Sequence, residues 1–195
     1  MGKIYAVKCG KKTGIFSTWT ECKEQVTGYP NASYKSFSTI EEANKFLSNI
    51  PIMVKSDNIA YTDGSYNDNT KEYGCGIVLF SNNEKKTFSF KGNDKEIVAM
   101  RNVAGEIMAA WHIMQYCIDN NLSSLVIYHD YEGVSKFCTG DWTANEIGTR
   151  NYRDFYNSIK NKLQVGFIWI RGHNKNQYND EADHLAKQSI GIKIK

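Results

Sequence analysis

The sequence predicts an α/β fold in which a small ββαβα unit precedes a mixed five-stranded sheet flanked by helices. Strand-like and helix-like stretches alternate along the whole chain, without an internal repeat or a low-complexity tract. The larger part begins with three consecutive strand-like stretches and then alternates helix, strand, helix, strand and helix, which predicts a sheet covered by helices. The two prolines, Pro30 and Pro51, both fall between such stretches, and Pro51 marks the boundary between the two parts.

The small unit is predicted to cover residues 1–50. Thr39-Ile-Glu-Glu42 has the pattern of a capping box, in which a threonine and a glutamate side chain each accept a backbone N–H, and it predicts the start of a helix. Gly10 to Gly14 predicts a hairpin turn between the first two strands. The expected elements are strands over 3–9, 14–19 and 32–37 and helices over 20–27 and 39–50.

A short polar connector over 51–58 is predicted to lead into the larger domain, residues 59–195. Within that domain, Gly74-Cys-Gly76 predicts a close approach of another backbone to a strand. The expected elements are strands over 59–63, 74–81, 86–91, 124–130 and 164–170 and helices over 102–119, 132–138, 149–162 and 178–190.

The positive charge of the chain is concentrated near its start. Residues 1–50 contain seven lysines and four acidic residues, a net charge of +3, whereas residues 51–195 contain seventeen of each sign. This distribution favours a small domain that contacts a polyanion, although three charges on fifty residues also arise by chance. A hydrophobic content of 41% is sufficient for a packed core.

Composition argues against several classes of protein. The five cysteines are scattered and form no C-x-x-C pair, which argues against a zinc site or a disulfide framework and favours reduced thiols. The start of the chain has no apolar signal core, and no apolar stretch is long enough to cross a membrane. We therefore expect a cytoplasmic protein that does not bind membranes, has no obligate protein partner and is a monomer.

Four acidic residues, each in a different local setting, are the main functional signal. Asp63 ends an apolar run and precedes a turn-like Gly-Ser, Glu106 lies in a predicted helix, Asp130 ends a second apolar run, and Asp183 lies near the start of the last helix, ten residues after His173. Acids at the ends of neighbouring strands and on flanking helices can converge. Converging carboxylates repel one another unless divalent cations hold them, and oxygen ligands suit magnesium or manganese. This layout predicts a two-metal site that cleaves phosphodiesters.

Each of these residues also has a purely structural explanation. Asp63 fits a turn, Glu106 a solvated helix position, and Asp183 a residue that complements the helix dipole. His173 fits an ordinary loop position. Asp130 is harder to explain in this way, because an unpaired charge at the end of an apolar strand is costly. The occurrence of all of them in this order favours the functional interpretation.

The larger domain contains five short motifs, in this order: Thr-Asp-Gly-Ser (62–65), Gly-Glu-Ile-Met-Ala-Ala (105–110), Ile-Tyr-His-Asp (127–130), Gly-His (172–173) and Asn-Asp-Glu-Ala-Asp-His-Leu-Ala (179–186). In these motifs it resembles, over residues 59–190, type 1 ribonuclease H, the endonuclease that cuts RNA in RNA–DNA hybrids. The first fifty residues contain Tyr-Ala-Val-Lys (5–8), Gly-Ile-Phe-Ser-Thr-Trp-Thr-Glu-Cys (14–22) and Ala-Ser-Tyr-Lys-Ser-Phe (32–37). In these they resemble the small hybrid-binding domain, also found in viroplasmin, that precedes the catalytic domain in many of these enzymes.

The resemblance implies hydrolysis of the RNA strand by a two-metal-ion mechanism that leaves 5′-phosphate and 3′-hydroxyl ends. It implies that Asp63 bridges two Mg²⁺ ions, with Mn²⁺ as a possible substitute. Glu106 and Asp130 complete one metal site and Asp183 completes the other. His173 corresponds to a loop histidine that helps to deprotonate the water or to release the product, a role suited to a group that titrates near neutral pH.

The resemblance also implies residues that bind the hybrid near the acids. Asn69 and Asn102 match positions that touch its minor groove, although a turn asparagine and a helix cap are the alternatives. Arg101 stands where threonine is common near the pocket for the DNA phosphate. Asn179 matches a position near the active centre that is glutamate or asparagine in relatives, or else it caps the last helix.

In the first fifty residues, Trp19, Tyr34 and Lys35 match the surface that contacts the hybrid, with Tyr5 a weaker candidate. An aromatic ring beside a lysine can pack on a sugar while the ammonium group meets a phosphate. The alternative is that the aromatic rings form the core of a small domain. Ser36 replaces the second of two adjacent lysines common in the family, which weakens this part of the match.

Two other functions stay open at this stage. A non-catalytic protein that binds hybrids or duplexes would show salt-sensitive binding without turnover, and the intact set of acids argues against it. A related nuclease of the integrase or Holliday-junction resolvase type would share the fold but not the substrate, and the hybrid-binding motifs argue against it.

Overall fold

The structure, a computed structural model, describes residues 3–29, 32–48, 54, 56–172 and 176–193. The chain divides into two compact units, Met1–Ile52 and Met53–Lys195. No helix within the described ranges combines the length and the apolar character needed to cross a membrane.

The first unit is a three-stranded antiparallel sheet, in the order β2-β1-β3, with two helices. Its elements are β1 (Ile4–Cys9), β2 (Gly14–Phe16), α1 (Trp19–Val26), β3 (Ser33–Phe37) and α2 (Ile40–Ser48). Its core is built from Val7, Cys22 and Val26. The predicted ββαβα order is therefore present.

Helix capping decides where two elements of this unit begin. The predicted box at the start of α2 is confirmed: Thr39 Oγ1 accepts the N–H of Glu42 at 3.2 Å, and Glu42 Oε2 accepts the N–H of Thr39 at 3.3 Å. The strand predicted over 14–19 is too long. It ends at Phe16 because Thr18 and Glu21 form a second capping box, which starts α1 at Trp19.

The second unit contains a mixed five-stranded sheet in the order β6-β5-β4-β7-β8, and the predicted fold class is confirmed. The three consecutive strands pair antiparallel, whereas β7 pairs parallel to β4 and to β8. Its elements are β4 (Ile59–Asn67), β5 (Glu72–Ser81), β6 (Glu84–Gly92), α3 (Lys95–Val98), α4 (Asn102–Asp119), β7 (Ser124–His129), α5 (Gly133–Thr139), α6 (Ile147–Ile159), β8 (Gln164–Trp169) and α7 (Gln177–Ser189).

The first strand of this sheet is the main departure from the sequence prediction. It was expected to end in a turn at Asp63, but β4 continues to Asn67, so that Asp63 lies in mid-strand opposite Gly76. Pairing with β5 continues through Gly64 and Ser65 and overrides their local turn preference. The short helix α3 was not predicted. Asp94 caps it by accepting the N–H of Glu96 at 2.9 Å.

Helix α7 packs closely on β5, as the glycine pair in that strand predicts. A Cβ atom built on Gly74 would lie 2.2 Å from the carbonyl oxygen of Ala186, and one built on Gly76 would lie 1.9 Å from that of Ala182. Neither distance is possible for real atoms. These two glycines therefore permit the approach that brings Asp183, on the same helix, towards the sheet.

The end of the predicted connector is attached to the sheet of the second unit. Asn58 accepts the N–H of Val126 through its backbone oxygen at 2.9 Å, and its side-chain Nδ2 donates to the carbonyl of Ser124 at 3.0 Å. Ser81 Oγ donates to Asn58 Oδ1 at 2.6 Å. Residues 56–58 are thus held by hydrogen bonds, while residues 51–53 and 55 lie outside the described residues.

Candidate active site

Two glycines allow strand β4 and helix α4 to approach until their backbones touch. A Cβ atom on Gly64 would lie 2.2 Å from the backbone nitrogen of Glu106, and one on Gly105 would lie 2.8 Å from Cα of Gly64. The residues beside these glycines are Asp63 on the strand and Glu106 on the helix, and each is only 7% exposed. The close contact therefore buries two carboxyl groups side by side.

A third carboxyl group joins them at the end of the neighbouring strand. Asp130 directly follows β7, which lies beside β4 in the sheet, and it is half-buried. Asp63, Glu106 and Asp130 each offer one oxygen atom, and these three atoms lie within 4.8 Å of one another. That separation is suitable for a group of oxygen ligands around a divalent cation.

The electrostatics of this cluster favour protons or cations. Burial, followed by the charges of Asp130 and Asp183, raises the pKa of Asp63 from 3.8 to about 7. Burial, followed by the charges of Asp63 and Asp130, raises the pKa of Glu106 well above its ordinary value. The cluster thus resists full ionisation by itself, and a bound cation would offset both the desolvation and the repulsion.

Two buried oxygen atoms in this region have no hydrogen-bond partner among the described residues. They are Oε2 of Glu106 and Oδ1 of Asn179. A buried acceptor without a partner is costly, and both residues line the same cavity. Their oxygen atoms are hard donors of the kind that Mg²⁺ and Mn²⁺ prefer, so the residues present fit a metal site.

The fourth predicted acid lies in the same cavity but is already paired. Asp183 Oδ2 accepts a hydrogen bond from Lys187 Nζ at 2.6 Å. Asp183 is not part of the three-oxygen cluster found among the described residues. The cavity has a volume of about 290 Å³ and is lined by Asp63, Gly64, Ser65, Asn102, Glu106, Asp130, Asn179, Asp180, Asp183 and Lys187.

Two predicted asparagines also lie in the cavity wall. Asn102 is the first residue of α4, and Asn179 is buried in the first turn of α7. The alternative that Asn179 caps α7 is wrong, because Asn176 Oδ1 accepts the N–H groups of Tyr178 and Asn179. Asn179 Nδ2 instead lies 3.5 Å from Asp63 Oδ2, where it contributes a donor to the carboxylate cluster.

Arg101 and Asn69 lie outside the set of described residues that lines the cavity. Arg101 directly precedes α4 with a left-handed φ of 56°, and its Nη2 is 3.1 Å from Asp68 Oδ2. Its guanidinium group also lies over the ring of Tyr66, 5.3 Å from the ring centre. Asn69 is exposed in the β4–β5 turn, where its N–H donates to Asn67 Oδ1 at 3.0 Å.

His173 lies outside the described residues, as do residues 174 and 175. The glycine before it is described: a Cβ atom on Gly172 would lie 2.7 Å from Asp130 Oδ2. The start of this loop therefore passes directly beside the carboxylate cluster.

The first unit carries an exposed aromatic group. The ring of Trp19 lies 5.7 Å from that of Tyr5 and 5.6 Å from that of Tyr34, measured between centres. Trp19 is 42% exposed and Tyr34 45% exposed, so the alternative that these two rings form the core of the unit is wrong. Lys35, the next residue on β3, is also exposed.

Sequence reasoning missed two charged residues of the cavity wall. Asp180 was not named as a candidate site residue, yet it lines the cavity. Lys187 was not considered. Its position four residues after Asp183 on a predicted helix was a usable signal, since residues at that spacing lie side by side on a helix surface.

Comparisons with known protein families give a match for each of the two units. The ribonuclease H1 N-terminal domain family matches residues 3–47, and the RNase H family matches residues 55–191, more than half of the chain. Ribonuclease H of Francisella philomiragia is 30% identical over 156 aligned positions, covering 71% of this chain and 95% of that protein.

Other relatives and a solved structure extend this result. Ribonuclease H1 of Mus musculus is 26% identical over an alignment of 255 positions, covering 96% of this chain and 89% of that protein. Ribonuclease H of Saccharomyces cerevisiae is 54% identical over 46 residues, but these are 24% of this chain and only 13% of that protein. The RNase H1 structure from Halobacterium salinarum NRC-1 has the same fold, with a TM-score of 0.53 at 19% identity, covering 68% of this chain and 96% of that one. With a buried carboxylate cluster on this fold and a family match over most of its length, the chain belongs to the ribonuclease H family.

Proposed function

We propose that this enzyme is an endonuclease that hydrolyses the RNA strand of RNA–DNA hybrids by a two-metal-ion mechanism, leaving 5′-phosphate and 3′-hydroxyl ends. The observation that carries the proposal is the convergence of one carboxyl oxygen each from Asp63, Glu106 and Asp130 within 4.8 Å of one another. A buried Glu106 oxygen in this cluster has no hydrogen-bond partner among the residues that the structure describes. Family membership supports hydrolysis of hybrids as the reaction.

The proposed metal ligands are the four acids, with Asp63 as the ligand shared by two Mg²⁺ ions and Mn²⁺ as a substitute. Asp63 supports this assignment because its pKa is raised by the charges of both Asp130 and Asp183, so its carboxylate lies in the field of both groups. When bound, the cations activate the attacking water and stabilise the 3′ oxygen that leaves. Asn179 Nδ2 orients the Asp63 carboxylate, and its buried Oδ1 has no hydrogen-bond partner within the described ranges.

The remaining roles concern protons and the substrate. His173, which follows Gly172 beside Asp130, is proposed to accept a proton from the water or to assist product release. Asn102 and Asn69 are proposed to contact the minor groove, and Arg101 a phosphate of the DNA strand. The hybrid is then recognised independently of its base sequence, through the shape of the duplex and its 2′-hydroxyl groups rather than through base edges.

The first unit is proposed to anchor the hybrid. Trp19 and Tyr34 present exposed rings next to Lys35, a combination that packs on sugars and bases while the ammonium group meets a phosphate. The net charge of +3 over residues 1–50, against zero for the rest, supports attraction of a polyanion by this unit.

The test is cleavage of a labelled RNA strand annealed to DNA or to RNA, with magnesium, with manganese and with EDTA, and with a branched DNA as a further substrate. We expect metal-dependent cutting of the hybrid alone, with 5′-phosphate ends on the products. Asp63→Asn should abolish cutting and leave hybrid binding intact, whereas Asp154→Asn, at an exposed aspartate on α6 outside the cavity, should cut normally.

The other outcomes identify the competing functions. Binding of the hybrid without cutting under either metal would make the protein a non-catalytic hybrid-binding protein. Cutting of branched DNA in preference to the hybrid would place it with resolvase-like nucleases. Cutting by Asp63→Asn at a substantial fraction of the wild-type rate would refute the assignment of Asp63 as the shared ligand.

A further inference from the structure

Lys187 is the one basic side chain among the described residues that line the active-site cavity. It lies on α7 four residues after Asp183, and its Nζ donates to Asp183 Oδ2 at 2.6 Å. Of the ion pairs in the described part of the chain, this is the one whose two members both line the cavity.

The pair is well placed to stabilise the protein before any cation binds. The cavity brings together Asp63, Glu106, Asp130 and Asp183, whose negative charges repel one another. The side chains of Lys187 and Asp183 are 33% and 22% exposed, so water screens their attraction only in part. Lys187 therefore neutralises part of the charge of the cation-free site.

The same contact opposes a cation at the Asp183 end of the site. A divalent cation that coordinates Asp183 must share the carboxylate with the ammonium group or displace it, and the two positive charges repel at short range. By thermodynamic linkage, the free energy by which Lys187 stabilises the cation-free protein reduces the favourable free energy of cation binding. We propose that Lys187 is a built-in counter-ion for Asp183 that competes with the divalent cation and weakens its binding at this end of the cavity.

This proposal deepens the proposed function, since it depends on cation binding by the acids, and it is tested without substrate. Mg²⁺ alone is titrated into the full-length protein by calorimetry. Lys187→Met should bind Mg²⁺ about threefold to thirtyfold more tightly than the wild type, whereas Lys187→Arg, which keeps the charge, should stay within about threefold. Melting in EDTA should show Lys187→Met to be less thermostable than the wild type.

Two further variants separate this effect from a general change of charge. Lys85 lies on β6, and its Nζ is 2.7 Å from Oε1 of Glu181, a residue of α7 that does not line the cavity. The Lys85→Met variant should therefore bind Mg²⁺ with the same affinity as the wild type. In the Asp183→Asn background, Lys187→Met should change the affinity by less than about twofold, because its partner is gone. Lys187→Gln replaces Lys187→Met if the latter does not fold.

The outcomes distinguish this inference from the proposed function. Equal or weaker Mg²⁺ binding by Lys187→Met, or equal tightening by Lys85→Met, would overturn the role of Lys187 alone. Tightening that persists in the Asp183→Asn background would also overturn it. If Mg²⁺ binding is unaffected by Asp63→Asn and Glu106→Gln, the acids do not hold the cation, and the proposed function and the role of Lys187 both fail.

Discussion

At the scale of the residue, the role proposed for Glu106 as a metal ligand conflicts with the stability of the cation-free protein. The residue is 7% exposed, and one of its carboxyl oxygens has no hydrogen-bond partner in the described part of the chain. The pKa of this carboxyl group is raised first by burial and then by the charge of Asp63. We expect Glu106→Gln to stabilise the cation-free protein by about 1–2 kcal/mol, because glutamine keeps the shape and avoids the cost of either burying the charge or protonating the carboxyl group. Denaturant unfolding in EDTA measures this, and the same variant should not cleave hybrids. Glu181→Gln, at a partly exposed paired glutamate, should not be stabilised.

The pH dependence of stability follows from Asp63, whose pKa is raised to about 7 in the folded protein, first by burial. A carboxyl group with a raised folded pKa binds its proton more tightly in the folded state, so protonation stabilises the fold. That contribution is complete below about pH 4 and is lost as the pH rises through 7. In EDTA we expect the stability advantage of Asp63→Asn over the wild type to grow between pH 4 and pH 7.5 by on the order of 2–4 kcal/mol. A pH-independent difference between the two proteins would contradict this.

At the scale of the element, the contact between β4 and α4 determines the geometry of the site. Gly105→Ala improves helix propensity by roughly 1 kcal/mol, yet its methyl group would meet Gly74 O at 2.4 Å and Gly64 Cα at 2.8 Å. Backbone cannot move aside cheaply, so we expect a net loss of stability of about 2–4 kcal/mol and a large loss of cleavage. Gly148→Ala in α6 is the control, because its methyl group meets only the flexible side chains of Met100 and Ile97. Thermal unfolding and cleavage of both variants make the comparison; equal behaviour of the two would contradict the backbone contact.

Elements were predictable from the sequence where local signals agreed with packing. The helix expected over 102–119 is found as Asn102–Asp119, since its small and apolar residues recur at helical spacing and it packs on the sheet. Local signals failed at Asp63, where Asp-Gly-Ser favours a turn but the ladder with β5 carries the strand on to Asn67. A single sequence does not contain that long-range pairing.

The site was predictable to a similar extent. Asp63 and Asp130 were predicted as site residues because carboxylates at the ends of apolar runs are rare without a reason. Glu106 and Asp183 were predicted from the order of the four acids along the chain and from the family resemblance. The pairing of Asp183 with Lys187 and the cavity position of Asp180 were missed, because both depend on how α7 is rotated against β5. That rotation is set by the close contacts at Gly74 and Gly76, which sequence reasoning anticipated only as a backbone approach.

At the scale of the whole molecule, the proposed function assigns anchoring of the hybrid to the first unit and cleavage to the second. Trp19→Ala combined with Lys35→Ala removes one exposed ring and one charge from the first unit, and we expect hybrid affinity to fall about 10-fold to 100-fold. The salt dependence of binding should become shallower by about one counterion, because one phosphate contact is lost. The maximal rate at saturating hybrid should stay unchanged, since the carboxylates lie in the other unit. Tyr29→Ala with Lys11→Ala is the matched control, because it removes a ring of similar exposure and one charge. Lys11 lies in the β1–β2 turn, where its N–H donates to the carbonyl of Gln25 near the end of α1 opposite to Trp19. Equal losses of affinity in the two double variants would show that net charge, rather than this aromatic surface, holds the hybrid.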